Sequence, residues 1–284
     1  MTAKVSAHPA IELRNICKRF NGEPLVDDFD LSIEQGESAI LVGPSGSGKT
    51  TLLNLISLVA STDAGQVILD GTPYRTTDLG IPKLAYIFQR DLLHPWETVG
   101  QSVMLGIEAK RTPNAADRDR AHAFLDKVGL AGYEGRYPGT LSGGQRQLVA
   151  IIQNLLLDPD ILLLDEPFSN VDFPTKLLLE REVIDLLEFA RLHRERPMTM
   201  VMVTHDIEEA IVLGTRVISL GRPKGRPLKI VRDARIDVRV SERDPILMRG
   251  SELLRKHFLE ICASLESFSP AHPRDAMEAD HVEI

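Results

Sequence analysis

The stretch Gly43-Pro44-Ser45-Gly46-Ser47-Gly48-Lys49-Thr50 decides the fold of this chain. It matches the pattern G-x-x-x-x-G-K-[S/T] and lies between the apolar run 39–42 and the helical stretch 51–56, the context that the motif requires. Glycines allow backbone amides to converge on phosphate oxygens, and the following helix adds the positive end of its dipole. The stretch therefore predicts a phosphate-binding loop, in which Lys49 would reach the β- and γ-phosphates of a nucleotide and Thr50 would ligate Mg²⁺.

A second apolar run, 161–164, ends in the two carboxylates Asp165 and Glu166. A buried strand ending in this way presents both side chains at the carboxyl edge of a sheet, where open α/β folds bind ligands. We expect Asp165 to orient Mg²⁺ through water and Glu166 to act as the general base toward an attacking water. An acidic strand end is common by itself, and the phosphate loop makes the pair specific.

Strands and helices alternate along the rest of the chain. Short alternating segments from 11–33, with a turn at Asn21-Gly22, predict antiparallel strands, and Asp70-Gly71 predicts a hairpin. Residues 97–156 read as mostly helical, with breaks at 111–119 and 129–140. Buried strands at 161–164 and 199–203 flank a long helix around 176–194, which argues for an α/β core with a parallel sheet. A hairpin at 217–220 and 228–231 closes the domain, and an amphipathic helix covers 244–266.

The domain organisation follows from these segments. We expect a flexible N-terminus at 1–10, one α/β domain at 11–235 with a helical subdomain at about 90–156, and a helical extension at 236–284 with a disordered end. We expect no signal peptide, and no apolar run approaches the roughly 20 residues that span a bilayer. Cys17 and Cys262 are expected to be reduced thiols.

The composition and net charge indicate which classes of partner are expected. The chain has 284 residues, of which 43% are hydrophobic and 26% charged, as in an ordinary globular protein. Its formal net charge of −8 argues against nucleic acid as a partner, because nucleic-acid binders usually present a basic face.

The stretch Leu141-Ser142-Gly143-Gly144-Gln145 begins a further predicted helix. A serine and two glycines at a helix start offer a hydroxyl and free N–H groups to an anion. In isolation the same residues would be read as a helix cap after the Pro138-Gly139 turn.

Taken together, the motifs resemble those of ABC-transporter ATPases over roughly residues 11–235. Leu-Ser-Gly-Gly-Gln ahead of an Asp-Glu strand is diagnostic of that family, and the family's other motifs occur in the expected order along the chain. In chain order, the motif residues are Phe20, Gly43–Thr50, Gln89, Ser142–Gln145, Asp165-Glu166, the D-loop Ser169–Asp172 and His205. The resemblance implies a P-loop NTPase with a RecA-like α/β core, an antiparallel β subdomain and an inserted α-helical subdomain.

The resemblance also implies roles for individual residues. Glu166, His205, Gln89 and Lys49 are the expected catalytic residues, and Thr50, Gln89 and Asp165 the expected Mg²⁺ site. His205 would contact the γ-phosphate and hold Glu166 and the water in register. Ser142 and Gly144 would bind the γ-phosphate of ATP held by a second ATPase subunit. The expected ATP-binding residues are Phe20, Gly43, Pro44, Ser45, Gly46, Ser47, Gly48, Lys49, Thr50, Thr51, Ser142, Gly143, Gly144 and Gln145. Phe20 would stack on adenine, the alternative being a small core anchor.

The stretch from Leu92 to Val99 resembles the ATPases of nitrate, sulfonate and taurine importers. The resemblance implies a transmembrane permease as partner, a second ATPase subunit that is a homodimer mate or a paralogue, and indirectly a solute-binding protein. The chain would then lie at the cytoplasmic face of the inner membrane, attached through the permease. Trp96 would line the docking groove for that permease or, alternatively, pack inside the helical subdomain.

Several positions depart from the family pattern: Leu148, Ile152-Gln153-Asn154-Leu155 and Asn170. None is a core catalytic group. Two alternative classes stay open, an ABC ATPase acting on DNA or ribosomes and a regulatory nucleotide-binding subunit with low turnover. The first usually carries two cassettes or a long coiled-coil insertion, which this sequence does not predict. The presence of Lys49, Glu166 and His205 argues against the second.

Overall fold

The computed structural model describes residues 8–78, 83–89, 93–169, 171–192, 194, 196–223, 226–238 and 243–266. The expected flexible and disordered ends therefore lie outside the described residues, apart from 8–10. The strands are β1 (Ile11–Phe20), β2 (Glu23–Ile33), β3 (Ser38–Val42), β4 (Ala64–Leu69), β5 (Thr72–Tyr74), β6 (Leu84–Ile87), β7 (Ile161–Asp165), β8 (Thr199–Thr204), β9 (Arg216–Gly221) and β10 (Lys229–Arg235). The helices are α1 (Lys49–Ile56), α2 (Val99–Glu108), α3 (Ala115–Lys127), α4 (Gly143–Leu155), α5 (Phe173–Leu192), α6 (Ile207–Leu213), α7 (Pro245–Arg249) and α8 (Glu252–Glu266), with a 3₁₀ turn at Pro138–Thr140.

The described strands form two sheets. One is antiparallel with the order β2-β1-β4-β5, and the other has the order β10-β9-β3-β8-β7-β6. In the larger sheet β9, β3, β8, β7 and β6 are parallel, and only β10 pairs antiparallel with β9. Helices α2, α3 and α4 are inserted between the neighbouring strands β6 and β7. The parallel core, the antiparallel sheet and the helical insertion confirm the predicted fold class.

The central strands of the larger sheet, β3, β7 and β8, are buried on both faces, and β3 displays this directly. Ile40 and Val42 pack into a core shared with the helices α2 to α8, whereas Ala39 and Leu41 pack against α1 and the antiparallel sheet. A strand buried on both faces reads as a continuous apolar run. The sheet is therefore fixed between two hydrophobic cores, and the loops at its edge are held in place from both faces.

The first two strands are longer than the sequence predicted. The Asn21-Gly22 turn occurs as expected, with φ of 52° and 82°, the positive values that a two-residue hairpin turn needs. The pairing of β1 with β2 shifts register after Leu13 and again after Ile16. Each bulge breaks the alternation of apolar and polar residues, so only the regular ends of the strands were recognisable.

Two helix predictions need correction. The break predicted at 111–119 ends earlier, because Asn114 caps α3 and exchanges hydrogen bonds with Asp117 in a capping box. The helix predicted at 244–266 is two helices, α7 and α8. The chain turns at Gly250, and the Ser251 hydroxyl accepts a hydrogen bond from the Leu254 N–H (3.1 Å), so Ser251 begins a new helix.

Arg243 ties the C-terminal helices to the sheet domain. Its buried guanidinium donates hydrogen bonds to the carbonyls of Ile211 (2.6 Å), Val212 (3.0 Å) and Gly214 (2.7 Å), at the end of α6. The last carbonyls of a helix lack intrahelical partners, and the negative end of its dipole attracts a cation. Burial lowers the pKa of Arg243 to about 10, which leaves it charged at neutral pH.

We expect Arg243→Met to lower the free energy of unfolding by about 2–4 kcal/mol, because several buried carbonyls lose a charged donor. Urea denaturation followed by circular dichroism measures the change. Arg235→Met is the matched control, since Arg235 is exposed, and it should stay within about 0.5 kcal/mol of wild type. Equal losses in the two variants would contradict the capping role.

Candidate functional site

The ends of four parallel strands lie side by side at one edge of the larger sheet. Val42 of β3 is paired with Thr204 of β8, Val203 of β8 with Asp165 of β7, and Leu164 of β7 with Ile87 of β6. The residues that follow these strands must therefore emerge next to one another. This register brings the phosphate loop, Glu166, His205 and Gln89 to the same edge.

The phosphate loop is shaped by its glycines. A Cβ on Gly43 would lie 2.3 Å from the carbonyl oxygen of Leu220, so no larger residue fits there. Gly46 and Gly48 have φ of 75° and 110°, a region that favours glycine. Gly48 is the residue before α1, whose first N–H groups face an anion site in this type of turn. The buried Ser47 hydroxyl has no hydrogen-bond partner among the described residues.

Lys49 folds back onto the loop. Its ammonium donates hydrogen bonds to the carbonyls of Gly43 (2.8 Å) and Pro44 (3.0 Å). Burial lowers the pKa of Lys49, and the negative charges of Glu166 and Asp165 oppose that shift. Partly desolvated positive charge is thus held at the loop, where it would be stabilised by an anion.

Thr50 and Asp165 contact each other across the site. The Thr50 hydroxyl donates a hydrogen bond to Oδ1 of Asp165 (3.0 Å). The Tyr86 hydroxyl donates to the side-chain oxygen of Asn54 (3.0 Å) and lies 3.4 Å from Oδ2 of Asp165. Burial raises the pKa of Asp165, while the hydrogen bond from Thr50 and the nearby Tyr86 hydroxyl oppose this shift. Tyr86 and Asn54 were not predicted, although a tyrosine in a buried strand signals a polar tip that needs a partner.

Glu166 is held between His205 and Gln89. Its Oε2 lies 3.3 Å from Nδ1 of His205 and 3.5 Å from Nε2 of Gln89. The backbone of Glu166 has φ of 43°, an unusual value for this residue type, and its N–H donates to the carbonyl of Val203 (3.0 Å). Such strain of about 1–3 kcal/mol persists only where surrounding structure enforces it. The β7–β8 pairing thus fixes the direction of this carboxylate.

The stretch Ser142–Gln145 lies elsewhere, at the start of α4. Ser142 accepts a hydrogen bond from the Gln145 N–H (3.2 Å), and the Gln145 side chain accepts one from the Ser142 N–H (3.0 Å). A Cβ on Gly144 would lie 3.0 Å from Leu179 of α5, so this glycine permits close helix packing. Among the described residues, no hydrogen bond joins Ser142 or Gln145 to the residues of the sheet edge.

Two aromatic side chains predicted to contact ligands or partners are exposed. Phe20 ends β1 with 50% of its surface exposed, and the Lys18 ammonium lies 5.6 Å from its ring centroid. Trp96 is 71% exposed and stacks on His94 with centroids 5.0 Å apart. Neither is a core side chain, which removes the alternative that each packs the interior.

The departures from the family pattern on α4 leave that helix intact. Leu148 and Ile152 are buried in the core beneath it, and Asn154 bonds to the carbonyl of Ala150 (2.8 Å). Asn170, and Leu92 at the start of the stretch that resembles the importer ATPases, lie outside the described residues.

A buried ion-pair cluster that the sequence did not predict adjoins His205. The Lys176 ammonium contacts Asp206 (2.7 Å) and Glu209 (2.6 Å), and the Glu209 side chain is only 3% exposed. Burial raises the pKa of Glu209 to about 7, against the opposing charge of Lys176. Burial also lowers the pKa of Lys176, but the charges of Glu209 and Asp206 outweigh it and the net shift is upward.

The larger sheet, with a phosphate loop after β3 and the carboxylates Asp165 and Glu166 at the end of β7, has the fold of P-loop NTPases. The family model described as ABC transporter matches residues 26–169. The chain belongs to the ABC transporter family.

Three relatives illustrate this membership. The sulfate/thiosulfate import ATP-binding protein of Pseudomonas aeruginosa is 38% identical over 75% of this chain, which spans only 64% of that relative's length. The aliphatic sulfonates import ATP-binding protein of Pseudomonas syringae pv. tomato is 36% identical over 91% of this chain and 85% of its own. A solved ATP-binding cassette, dimeric and bound to ADP and Pi after hydrolysis, is 29% identical with a TM-score of 0.63, over 81% of this chain and all of its own.

Two further observations concern membranes and metals. Within the part of the chain that the structure describes, every helix is too short or too polar to cross a bilayer. Over the same residues, no group of three or more His, Cys, Asp or Glu side chains is arranged to hold a metal.

We expect Gly43→Ala to lower the free energy of unfolding by about 1–3 kcal/mol, because the added Cβ collides with a backbone carbonyl that cannot turn away. Thermal and urea denaturation measure this loss. Gly135→Ala serves as the control, since a Cβ there meets nothing within 4 Å. The prediction fails if both variants are equally stable.

Glu209 predicts a pH dependence of stability. An acid whose folded-state pKa is raised stabilises the fold below its unfolded pKa, here 4.5, and this contribution disappears as the pH rises through about 7. Relative to Glu209→Gln, wild type should lose roughly 3 kcal/mol of unfolding free energy across that window. Urea denaturation of both proteins from pH 4.5 to pH 7 and above measures the difference. A difference that is independent of pH would contradict the prediction.

Proposed function

We propose that the chain hydrolyses ATP as one of two subunits in an ABC importer. The observation that carries the proposal is the Glu166 carboxylate beside the phosphate loop at the sheet edge, 3.3 Å from His205 and 3.5 Å from Gln89. A carboxylate with two polar neighbours is the arrangement expected for activating a water molecule. Family membership supports the same reading.

The residues of this chain would divide the work between binding and proton transfer. The loop amides and Lys49 bind and neutralise the phosphate oxygens of ATP. Glu166 accepts the proton of the attacking water, and His205 and Gln89 keep that carboxylate and the water in line with the γ-phosphate. Phosphoryl transfer needs little covalent participation from the protein, so positioning and electrostatics provide the rate.

The residues present fit a bound Mg²⁺. The Thr50 hydroxyl and the Asp165 carboxylate already lie 3.0 Å apart, and both are the oxygen ligands that Mg²⁺ prefers. Gln89 would add a third oxygen. Mg²⁺, when bound, would supply positive charge that neutralises the phosphate oxygens.

A second copy or a paralogue would complete each site. Ser142 and the first amides of α4 are available for an anion, yet they make no hydrogen bond to the sheet edge within the described ranges. The proposal assigns them to ATP held by the partner subunit. The dimeric, ADP- and Pi-bound cassette described above supports this arrangement.

A membrane permease would dock near Trp96. Trp96 is 71% exposed, and tryptophan, with an apolar ring and a polar N–H, is enriched at protein interfaces. We infer attachment to the cytoplasmic face of the membrane through that permease, and a solute of the nitrate, sulfonate or taurine type delivered by a solute-binding protein. The relatives' names support import, and they include both sulfate and sulfonates. The net charge of −8 supports the absence of nucleic acid among the partners.

The ATPase rate per subunit, measured against protein concentration, tests the proposal. The rate should rise with concentration, because each site needs a second subunit. Glu166→Gln should lower it by about 10²–10⁴-fold through loss of the general base. Glu108→Gln, at an exposed position on α2, should keep the wild-type rate.

Two outcomes would contradict it. Turnover at the wild-type rate in Glu166→Gln would show that Glu166 is not the general base. If the protein is shown to be a monomer and its ATPase rate per subunit does not depend on concentration, Ser142 does not act in the site of a partner subunit.

A further inference from the structure

Lys176 occupies a buried position between two carboxylates on the segment that carries His205. It projects from the first turns of α5, and its ammonium contacts Asp206 (2.7 Å) and Glu209 (2.6 Å). The Lys176 side chain is 11% exposed and that of Glu209 only 3%. One cation is therefore shared by two acids at the start of α6, the buried Glu209 and the partly exposed Asp206.

The residues on both sides of His205 are connected to this ammonium. Asp206 accepts hydrogen bonds from the Glu209 N–H (3.1 Å) and from Lys176, so it caps α6 and pairs with α5 at once. The Thr204 hydroxyl accepts from the Asp206 N–H (3.0 Å) and donates to the Glu209 carboxylate (3.3 Å). The turn from Thr204 to Asp206 thus closes on itself through Glu209, and Lys176 fixes the closed turn to α5.

His205 itself has little support. Its side chain is more than half exposed, and its contact in the site is the one with Glu166. A cavity of about 200 Å³ has Lys176 and Glu209 on its wall together with Glu166 and His205. The direction of the imidazole must therefore be determined mainly by the backbone on either side of it.

We propose that Lys176 is a positioning residue for His205, acting through Asp206 and Glu209 rather than by touching substrate. The inference rests on the proposed function, since it assigns His205 a part in hydrolysis. Buried ion pairs seldom add net stability, because desolvating the charges costs as much as their attraction returns. What such a pair provides is one defined geometry, and an error of about 1 Å in a reacting group can cost a hundredfold in rate.

The test uses the full chain and two variants that remove the cation. Lys176→Met leaves Glu209 buried without its partner and can fail to fold for that reason. The double variant Lys176→Met/Glu209→Gln removes both buried charges and keeps a hydrogen-bonding group beside Thr204. Lys176→Arg retains a cation for both carboxylates and should restore most of the activity.

Arg194 offers a matched control. It lies beyond the other end of α5, its side chain is 4% exposed, and it also pairs with two carboxylates, Asp158 (2.5 Å) and Asp160 (3.0 Å). Arg194→Met removes an equivalent buried cation just beyond the far end of that helix. It should lower stability and leave kcat within about twofold of wild type.

For the double variant, kcat for ATP should fall on the order of 10–100-fold with KM within about twofold, because the phosphate loop is untouched. Amide hydrogen exchange should rise in residues 204–209 and stay unchanged in the phosphate loop. A double variant with wild-type kcat and wild-type exchange would overturn the proposal, and so would an equal loss of kcat in Arg194→Met. If wild type itself lacked turnover, the proposed function would fail, and the exchange of 204–209 alone would still decide whether Lys176 holds this segment.

Discussion

The register of the parallel strands β3, β8, β7 and β6 is the constraint on which the site depends. Because hydrogen-bonded neighbours end together, the loop after β3, Glu166 after β7 and His205 after β8 emerge within one small volume. Burial on both faces disfavours sliding of a strand, since a shift of one residue would move its apolar side chains from one closely packed core into the other and disturb the packing of both. The chemistry thus depends on side chains such as Leu41 and Leu163 that never approach a ligand.

Much of this architecture was predictable, for a reason specific to phosphate loops. A glycine-rich turn needs residues without side chains at fixed spacing, and the flanking strand and helix need apolar runs, so both leave a readable pattern at Gly43–Thr50 and at 161–166. The boundaries of the strands and helices were harder to predict from the sequence. Bulges after Leu13 and Ile16 hid the true length of β1, and a serine hydroxyl at 251 divided a helix that looked continuous.

The contacts that the sequence could not reveal are pairs between distant segments. Tyr86 meets Asn54 only because β6 and α1 lie across the same sheet edge, and Lys176 meets Glu209 only because α5 packs beside α6. In the sequence, Lys176 is one more cation on a long amphipathic helix, and Glu209 is one of two acids in a helical first turn. Lys176 and Glu209 form a buried ion pair, and the charge pattern of a single segment does not specify which charged residues are buried.

Helix α6 links the site to the C-terminal helices. Lys176 holds its first turn, Arg249 of α7 pairs with Glu208 (3.0 Å) and with Glu180 of α5 (2.7 Å), and Arg243 binds its last carbonyls. Ile261 of α8 lies in the same hydrophobic core as Ile211 of α6. The domain boundary predicted after residue 235 from the family resemblance falls between α6 and two of its three cationic partners, Arg243 and Arg249. The helices that follow β10 therefore help to determine where the helix following His205 lies, and they belong to the physical account of the site.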